Sequence, residues 1–381
     1  MNQILFQKRR AKTPAKSKPL WLKWIFCAIP AAVGALMYML LPRFPEFTEY
    51  VLSRGLFRMA GFPLSWLSSL FPFSVAELIL VLSVPAVVTL LVFWIRRMIK
   101  SKQYLPVLER GCRGIAWFVS LVFLMYMVMH GANFSRLSAG ELMDLPTGTY
   151  TAQDLYKVTC DLADKASQAR EKLPEDEKGC VTLSVSQARL LLLADDGYDQ
   201  LWEDYPFLQA ATWRVKSVAL SHWWSYTGIV GIYIPWLGEA NLNTDVPANN
   251  LAYSAAHEVA HTMGFAREDE CNFLAWLACS ASDQPDYRYS GYLGAFVYCA
   301  NALYSGDKAL WEQAYSHCSA GVLRDLAQNS AYWKQFEGPV QDTSNALNDS
   351  FIKGNGVESG VLSYDEMVSL LLRYYDKENL L

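Results

Sequence analysis

The sequence predicts an α+β protein in two parts: three N-terminal membrane-spanning helices, then a mostly helical water-soluble domain that holds a small β-sheet. Three observations carry that expectation. Apolar runs without a charged residue recur three times in the first 134 positions. The charge balance then reverses: residues 1–130 hold 16 Lys and Arg against 4 Asp and Glu, and residues 131–381 hold 17 against 33. Past the apolar runs, β-like stretches come first and helical spacing follows, the order of an α+β domain.

The runs 24–41 and 78–95 are each 18 residues long and carry no charge. At about 1.5 Å per residue, each approaches the roughly 30 Å hydrocarbon core of a bilayer. The third, 115–134, is also uncharged. In lipid only a helix satisfies the backbone of such a run. Lys8, Arg9, Arg10, Lys12, Lys16, Lys18 and Lys23 precede the first run, and Arg96, Arg97, Lys100, Lys102, Arg110 and Arg113 separate the second from the third. Both clusters are expected in the cytoplasm by the positive-inside rule. The expected layout is a cytoplasmic basic tail (1–23), a membrane domain (24–134) and an extracytoplasmic domain (135–381). The first run is too long for a signal-peptide core, and no A-x-A site follows it. Between the first two runs, 44–73 mixes Phe57, Phe62, Trp66 and Phe71 with Arg43, Arg54 and Arg58. That composition fits an amphipathic segment lying in the membrane interface; a loop packed on the soluble domain fits equally well.

In the soluble part, Thr151 and Asp154 can form a capping box, and Leu155, Val158, Leu162 and Ala166 follow at helical spacing. The β-like stretches are 181–185, 213–220 and 228–234, and from 249 onward the pattern is helical. Hydrophobic residues at 52% and charged residues at 18% exclude a disordered chain. The acidic second half excludes nucleic acid as a partner, since it offers little to neutralise phosphates. Cys160, Cys180, Cys271, Cys279, Cys299 and Cys318 lie beyond the membrane part, an even number that permits disulfides outside the cytoplasm. Cys271 and Cys279 would stand about 12 Å apart on one helix, too far to pair with each other.

One motif dominates: His257-Glu258-Val259-Ala260-His261. Pro247, Asn249 and Asn250 offer a helix start, the alanines continue it, and Gly264 can end it. Residues four apart share a helix face, so both imidazoles can reach one Zn²⁺ while Glu258 stands where a general base toward the attacking water is needed. Two of only five histidines fall in this pattern. A catalytic zinc needs a third protein ligand and an open position. Arg267 occupies the place where a third histidine would follow in the metzincin pattern, which excludes that class. A second helix starting just past Gly264 can return a carboxylate to the metal. Glu268 shares a face with Asn272, which is placed to hydrogen-bond a ligating ring. Glu270 lies on the side of Phe273, Leu274 and Leu277. Glu268 is therefore preferred as the metal ligand, with Glu270 and then Asp269 behind it. The run 227–234 is a candidate edge strand for an extended substrate, with Gly228 and Gly231 allowing close approach of another backbone. Tyr289, Tyr292 and His317 are candidate oxyanion donors, none of them assigned.

The stretch from His257 through Ala275 resembles the signature of a bacterial membrane-protein family of unknown function, domain of unknown function 3810. So do the blocks at 226–235, 238–243, 287–292 and 351–353, together with Ser363 and Tyr364. The resemblance implies a membrane-anchored, gluzincin-like protein with a zincin-like domain. The Glu268-x-x-Cys271-Asn272 element is also similar to the Glu-x-x-Ala-Asp element of membrane zinc peptidases related to the CAAX prenyl endopeptidase. That likeness implies Glu268 as ligand, with Asn272 standing where those proteins have aspartate. The expected activity is zinc-dependent hydrolysis of a peptide or protein substrate at the bacterial cytoplasmic membrane, the lipid bilayer being the other partner. The alternative is a non-catalytic zinc-binding membrane sensor or assembly factor.

Overall fold

Among the described residues, three helices are long and apolar enough to cross a membrane: α1 (Leu20–Leu40, the apolar stretch continuing to Arg43), α3 (Val75–Ser101) and α4 (Tyr104–Met129). Between the first two lies a π-helical stretch, Thr48–Phe57, that runs into α2 (Arg58–Ser69). The computed structural model describes residues 19–357 and 364–381; the basic residues up to Lys18 and Ser363 lie outside the described residues. All three helices begin before their charge-free runs, and α3 also continues past the end of its own. α3 takes in Glu77 at its start and Arg96, Arg97 and Lys100 at its end, because a helix continues past the hydrocarbon core into the polar boundary. α4 stops at Met129, short of the expected 134. The backbone there leaves the helix at His130 and passes through a short 3₁₀ turn, Gly131–Ser135.

The segment after α1 packs on the second part of the chain. Its polar side turns inward: Thr48, Glu49, Ser53 and Ser68 are buried, and Arg58 donates to the carbonyls of Phe207 and Gln209 in the soluble domain. Its apolar side turns outward, leaving Phe62, Trp66, Leu67, Leu70 and Phe71 exposed. Polar groups facing protein and aromatic groups facing out is the reverse of a water-soluble helix, and it suits a lipid interface.

The soluble part begins with α5 (Ala152–Arg170), opened by the expected capping box of Thr151 and Asp154. A three-stranded sheet follows, in the order β1 (Lys216–Ser217), β3 (Glu239–Leu242), β2 (Gly231–Ile234). β1 runs parallel to β3; β2 runs antiparallel to it, with Ile232 opposite Asn241 and Tyr233 opposite Ala240. The sheet is smaller than the β-like runs suggested. At 181–185 only Val181 forms a bridge, and 213–220 reduces to two residues. The central strand was missed, because Glu-Ala-Asn-Leu has no β-branched residue and no alternation. All four of its side chains are buried, polar ones included. The remaining chain is helical: α6 (Ala248–Thr262), α7 (Glu268–Ala281), α8 (Pro285–Gly306), α9 (Ala320–Lys334), α10 (Pro339–Gly354) and α11 (Tyr364–Lys377). α6 lies between the sheet and the pair α7 and α8. Ala255, Ala256, Val259, Phe273, Leu274, Leu277 and Leu242 belong to the one large core around it.

The long apolar helices join this core through buried polar locks. The Glu239 carboxylate of β3 accepts the N–H groups of Val75 and Ala76 at the start of α3, the hydroxyls of Ser68 (2.5 Å) and Ser74 (3.1 Å), and the Lys216 ammonium (2.7 Å). A carboxylate on a helix N-terminus meets both the unpaired N–H groups and the positive end of the dipole. At the end of α4, Arg136 pairs with Glu49 at 2.7 and 2.9 Å with both side chains buried. On a third side, Tyr38 of α1 and Tyr126 of α4 bond Gly354 and Asn355 at the end of α10. The soluble domain thus sits at one end of the helix bundle. The basic junction 96–102 lies at the other, roughly 40 Å away along α3. All eight cysteines are free thiols, Cys271 and Cys279 among the buried ones.

Candidate metal centre

α6 brings His257 and His261 to one face, their rings 4.9 Å apart and nearly perpendicular. The helix ends where Gly264 takes φ +92°, a left-handed turn that favours glycine. The reversal starts α7 at Glu268, and its first turn carries Glu268, Asp269 and Glu270, acidic groups suited to a helix N-terminus. Glu268 returns to the histidines: its Oε2 lies 3.2 Å from His257 Nε2 and its Oε1 lies 3.7 Å from His261 Nε2. One ligand atom from each of the three lies within 4.8 Å of the others. Glu270 points elsewhere. Its Oε1 accepts the N–H of Ala139, and its Oε2 is buried in the core. Asp269 lies 3.7 Å from Arg267.

Both imidazoles are held by the nitrogen that faces away from the cluster. His261 Nδ1 donates to the Phe265 carbonyl at 2.9 Å, and a carbonyl can only accept, so the Nδ1–H tautomer is fixed and Nε2 carries the lone pair. His257 Nδ1 lies 2.9 Å from Asn272 Oδ1. Tyr253 secures Asn272 in turn, donating to its backbone carbonyl at 3.0 Å. This is how proteins fix ligating histidines, by an acceptor on the far ring nitrogen. Here the acceptor on His257 is neutral, because Asn272 stands where a charged aspartate would give more basicity.

The electrostatics follow from this proximity. Burial disfavours ionised Glu268, but the hydrogen bond from His257 and the charges of His261 and His257 outweigh it and hold the carboxyl down at about 2. His257 is raised: burial works against its imidazolium, yet the Glu268 hydrogen bond and charge prevail. His261 goes the other way, lowered chiefly by burial. Glu258 is pushed up to about 8 by burial, with the His257 charge opposing.

Glu258 is 3% exposed, and its Oε2 has no hydrogen-bond partner. It lies against β2, where a Cβ on Gly231 would collide with its carboxylate. The glycine reading of the sequence is corrected here. Gly231 makes room for the Glu258 side chain, and Gly228 for Gln341, rather than for a second backbone. β2 is nevertheless an edge strand, since no strand among the described residues pairs with its other side. It crosses the metal helix closely: the Tyr233 ring stacks on His261 at 6.3 Å and 17°.

Tyr289, Tyr292 and His317 are not at the cluster. Tyr289 donates to Asp325 in the core, Tyr292 lies beside Lys165, and His317 pairs with Asp164 at the surface. Sequence reasoning missed His130, whose ring stands 6.0 Å from both His261 and Tyr233. It also missed Arg136, which donates to the Gly264 carbonyl at 2.8 Å and lies 3.9 Å over the Phe265 ring, bracing the turn that holds His261. The available signal was a histidine directly after a span, followed by the only arginine between that span and Thr151.

A family model described as a protein of unknown function (DUF3810) matches residues 52–372. No curated protein and no solved structure matches the chain.

Proposed function

The chain belongs to the DUF3810 family, whose function is unknown, and from the cluster it carries we propose a membrane-anchored, zinc-dependent peptidase of gluzincin type with a zincin-like soluble domain. The observation that supports this most is the convergence of His257 Nε2, His261 Nε2 and a Glu268 oxygen, with the unpartnered Glu258 carboxylate alongside. The donor set suits Zn²⁺, since two imidazole nitrogens and one carboxylate are a catalytic ligand set that leaves a coordination position open. When bound, the ion supplies Lewis acidity that activates water and polarises a peptide carbonyl.

The charge of a divalent ion held by the cluster would favour ionised Glu258 against the burial that raises it to about 8, and the carboxylate would then accept the proton of the attacking water and pass it to the leaving amine. Glu270 Oε2 is also buried without a partner, so it is the position of Glu258 on α6 between the two imidazoles, rather than its orphaned oxygen, that supports a proton-transfer role. Asn272 and Phe265 keep both imidazoles aimed inward, and the free edge of β2 offers main-chain hydrogen bonds to an extended substrate. The lipid-crossing helices hold the domain at the bacterial cytoplasmic membrane, and the basic junction 96–102 at the far end of the bundle favours an extracytoplasmic soluble domain. The test is metal analysis of purified protein together with a peptide-library assay. One zinc per chain and chelator-sensitive cleavage, with Glu258→Gln keeping the metal and losing cleavage, is the expected result. Unchanged turnover in Glu258→Gln removes the mechanism. The neutral Asn272 beside His257 favours the second reading, a zinc-binding sensor or assembly factor without turnover, and zinc without cleavage is its outcome.

A further inference from the structure

We infer that the substrate is a membrane-tethered polypeptide, cut in the extended stretch where it leaves the bilayer. The inference rests on the peptidase reading above and concerns how β2 is placed. Three observations locate the reacting centre along β2. At Gly231 the strand lies against Glu258; at Tyr233 it stacks on His261; and past its end, the Trp236 indole N–H donates to the Val122 carbonyl of α4 at 3.4 Å. The turn after β2 also touches the outward-apolar α2, where Ser65 donates to the Gly238 carbonyl at 2.9 Å. The strand therefore starts over the catalytic carboxylate and ends against helices that are long and apolar enough to cross a membrane.

The two ends of the strand differ in kind. Before Gly231, beside Val230, lies a partly open pocket of about 300 Å³ lined by Val230, Asn249, Tyr253, Leu293, Tyr298 and Trp333. Asn249 Oδ1 is buried there with no partner, a polar group available to a side chain that enters. After Ile234 the turn meets α2 through Ser65 and α4 through Trp236, and Trp236 and the α2 side chains Phe62, Trp66 and Leu67 are exposed. His130, the first residue beyond α4, stands 6.0 Å from His261, so the metal cluster adjoins the very end of a spanning helix. β2 is extended from Gly231 to Ile234, about 10 Å, and the chain turns immediately after it at Pro235 and Trp236. A polypeptide laid along β2 in either direction enters the apolar surround within that distance of the cut. A soluble peptide forgoes the apolar surround at that end of the strand, whereas a chain anchored in lipid is delivered to it.

The geometry makes the bilayer a ruler, and a ruler can be tested apart from the concentrating effect of any membrane. Full-length protein loaded with zinc is reconstituted in phosphatidylethanolamine–phosphatidylglycerol vesicles. It receives one mixed-sequence peptide in three forms: free, fused to a hydrophobic helix through a short spacer, and fused through the same spacer lengthened residue by residue. Cut positions are read by mass spectrometry. The expected result is that cleavage of the anchored peptides moves along the sequence with the spacer, staying about five to ten residues from the anchor. A cut fixed in sequence whatever the spacer, or free and anchored peptides cut at one position with equal efficiency, overturns the inference and leaves the peptidase reading standing. No cleavage of any form by zinc-loaded protein overturns both.

Discussion

The carbonyl of Phe265 holds the Nδ1–H of His261 at 2.9 Å, and it does so because the chain reverses one residue earlier, at Gly264. At φ +92° an L side chain is strained, and a Cβ there would also lie 3.0 Å from the Phe57 ring. Gly264→Ala is therefore expected to cost about 1–3 kcal/mol of local strain and to loosen the His261 ring. The readable consequence is metal affinity about 10–100-fold weaker, measured by chelator competition, with α6 still folded by circular dichroism.

The three acidic residues at the start of α7 separate by the same kind of experiment. Glu268 faces both imidazoles, whereas Glu270 accepts the Ala139 N–H on the core side. Glu268→Ala is expected to lose stoichiometric zinc. Glu270→Ala is expected to keep it while costing about 1–3 kcal/mol of stability through the orphaned N–H. Metal content by elemental analysis beside thermal unfolding distinguishes the two. Zinc lost in Glu270→Ala and kept in Glu268→Ala reverses the ligand assignment.

The His257/Glu258/His261 spacing and the Gly264 break were legible because they depend on one helix and one turn, where position along the chain fixes position in space. Glu268 was legible for a similar reason, being the first residue after the reversal. His130, Arg136 and Tyr233 were not. They come from the end of a spanning helix, a connector and an edge strand, and they meet the cluster through tertiary packing alone. β3 was invisible for a different reason. Its Glu239 and Asn241 read as surface residues, yet Glu239 is buried to cap α3 and to pair with Lys216. In the segment 44–73 the composition left two readings open; its polar side faces protein and its aromatic side faces out, an arrangement that only the neighbouring elements decide.

Gly231 gives a direct handle on catalysis apart from metal binding. Its missing Cβ is the space that the Glu258 carboxylate fills, and no metal ligand touches that position. Gly231→Ala is expected to displace Glu258 while leaving His257, His261 and Glu268 in place. Zinc content should stay at the wild-type level, and cleavage should fall by at least about 100-fold, the scale of losing a positioned proton acceptor. A variant that loses zinc and activity together would mean that β2 shapes the metal cluster itself.

The junction between bundle and soluble domain should be sensitive to acid through Glu239. Burial pushes its carboxyl up, but the Lys216 ammonium, the Ser68 hydroxyl and the Ala76 N–H pull harder, so it lies below its ordinary value of 4.5. A carboxylate lowered in the folded state contributes stability that is fully present above its unfolded value and is lost as the pH falls through the folded one. Thermal unfolding in detergent should therefore be insensitive to this group near neutrality and decline below about pH 4.5. In Glu239→Gln that part of the decline should be missing, from a lower starting stability. Lys216 is also lowered, because burial costs its ammonium more than Glu239 returns. The pair thus fixes how β3 meets α3 without adding much net stability. Removing one partner is the costly change. Lys216→Met leaves Glu239 buried and short of its cation, and is expected to lose about 3–5 kcal/mol. A loss below about 1 kcal/mol in that variant would mean that the Ser68, Ser74 and α3 N–H groups satisfy the carboxylate by themselves.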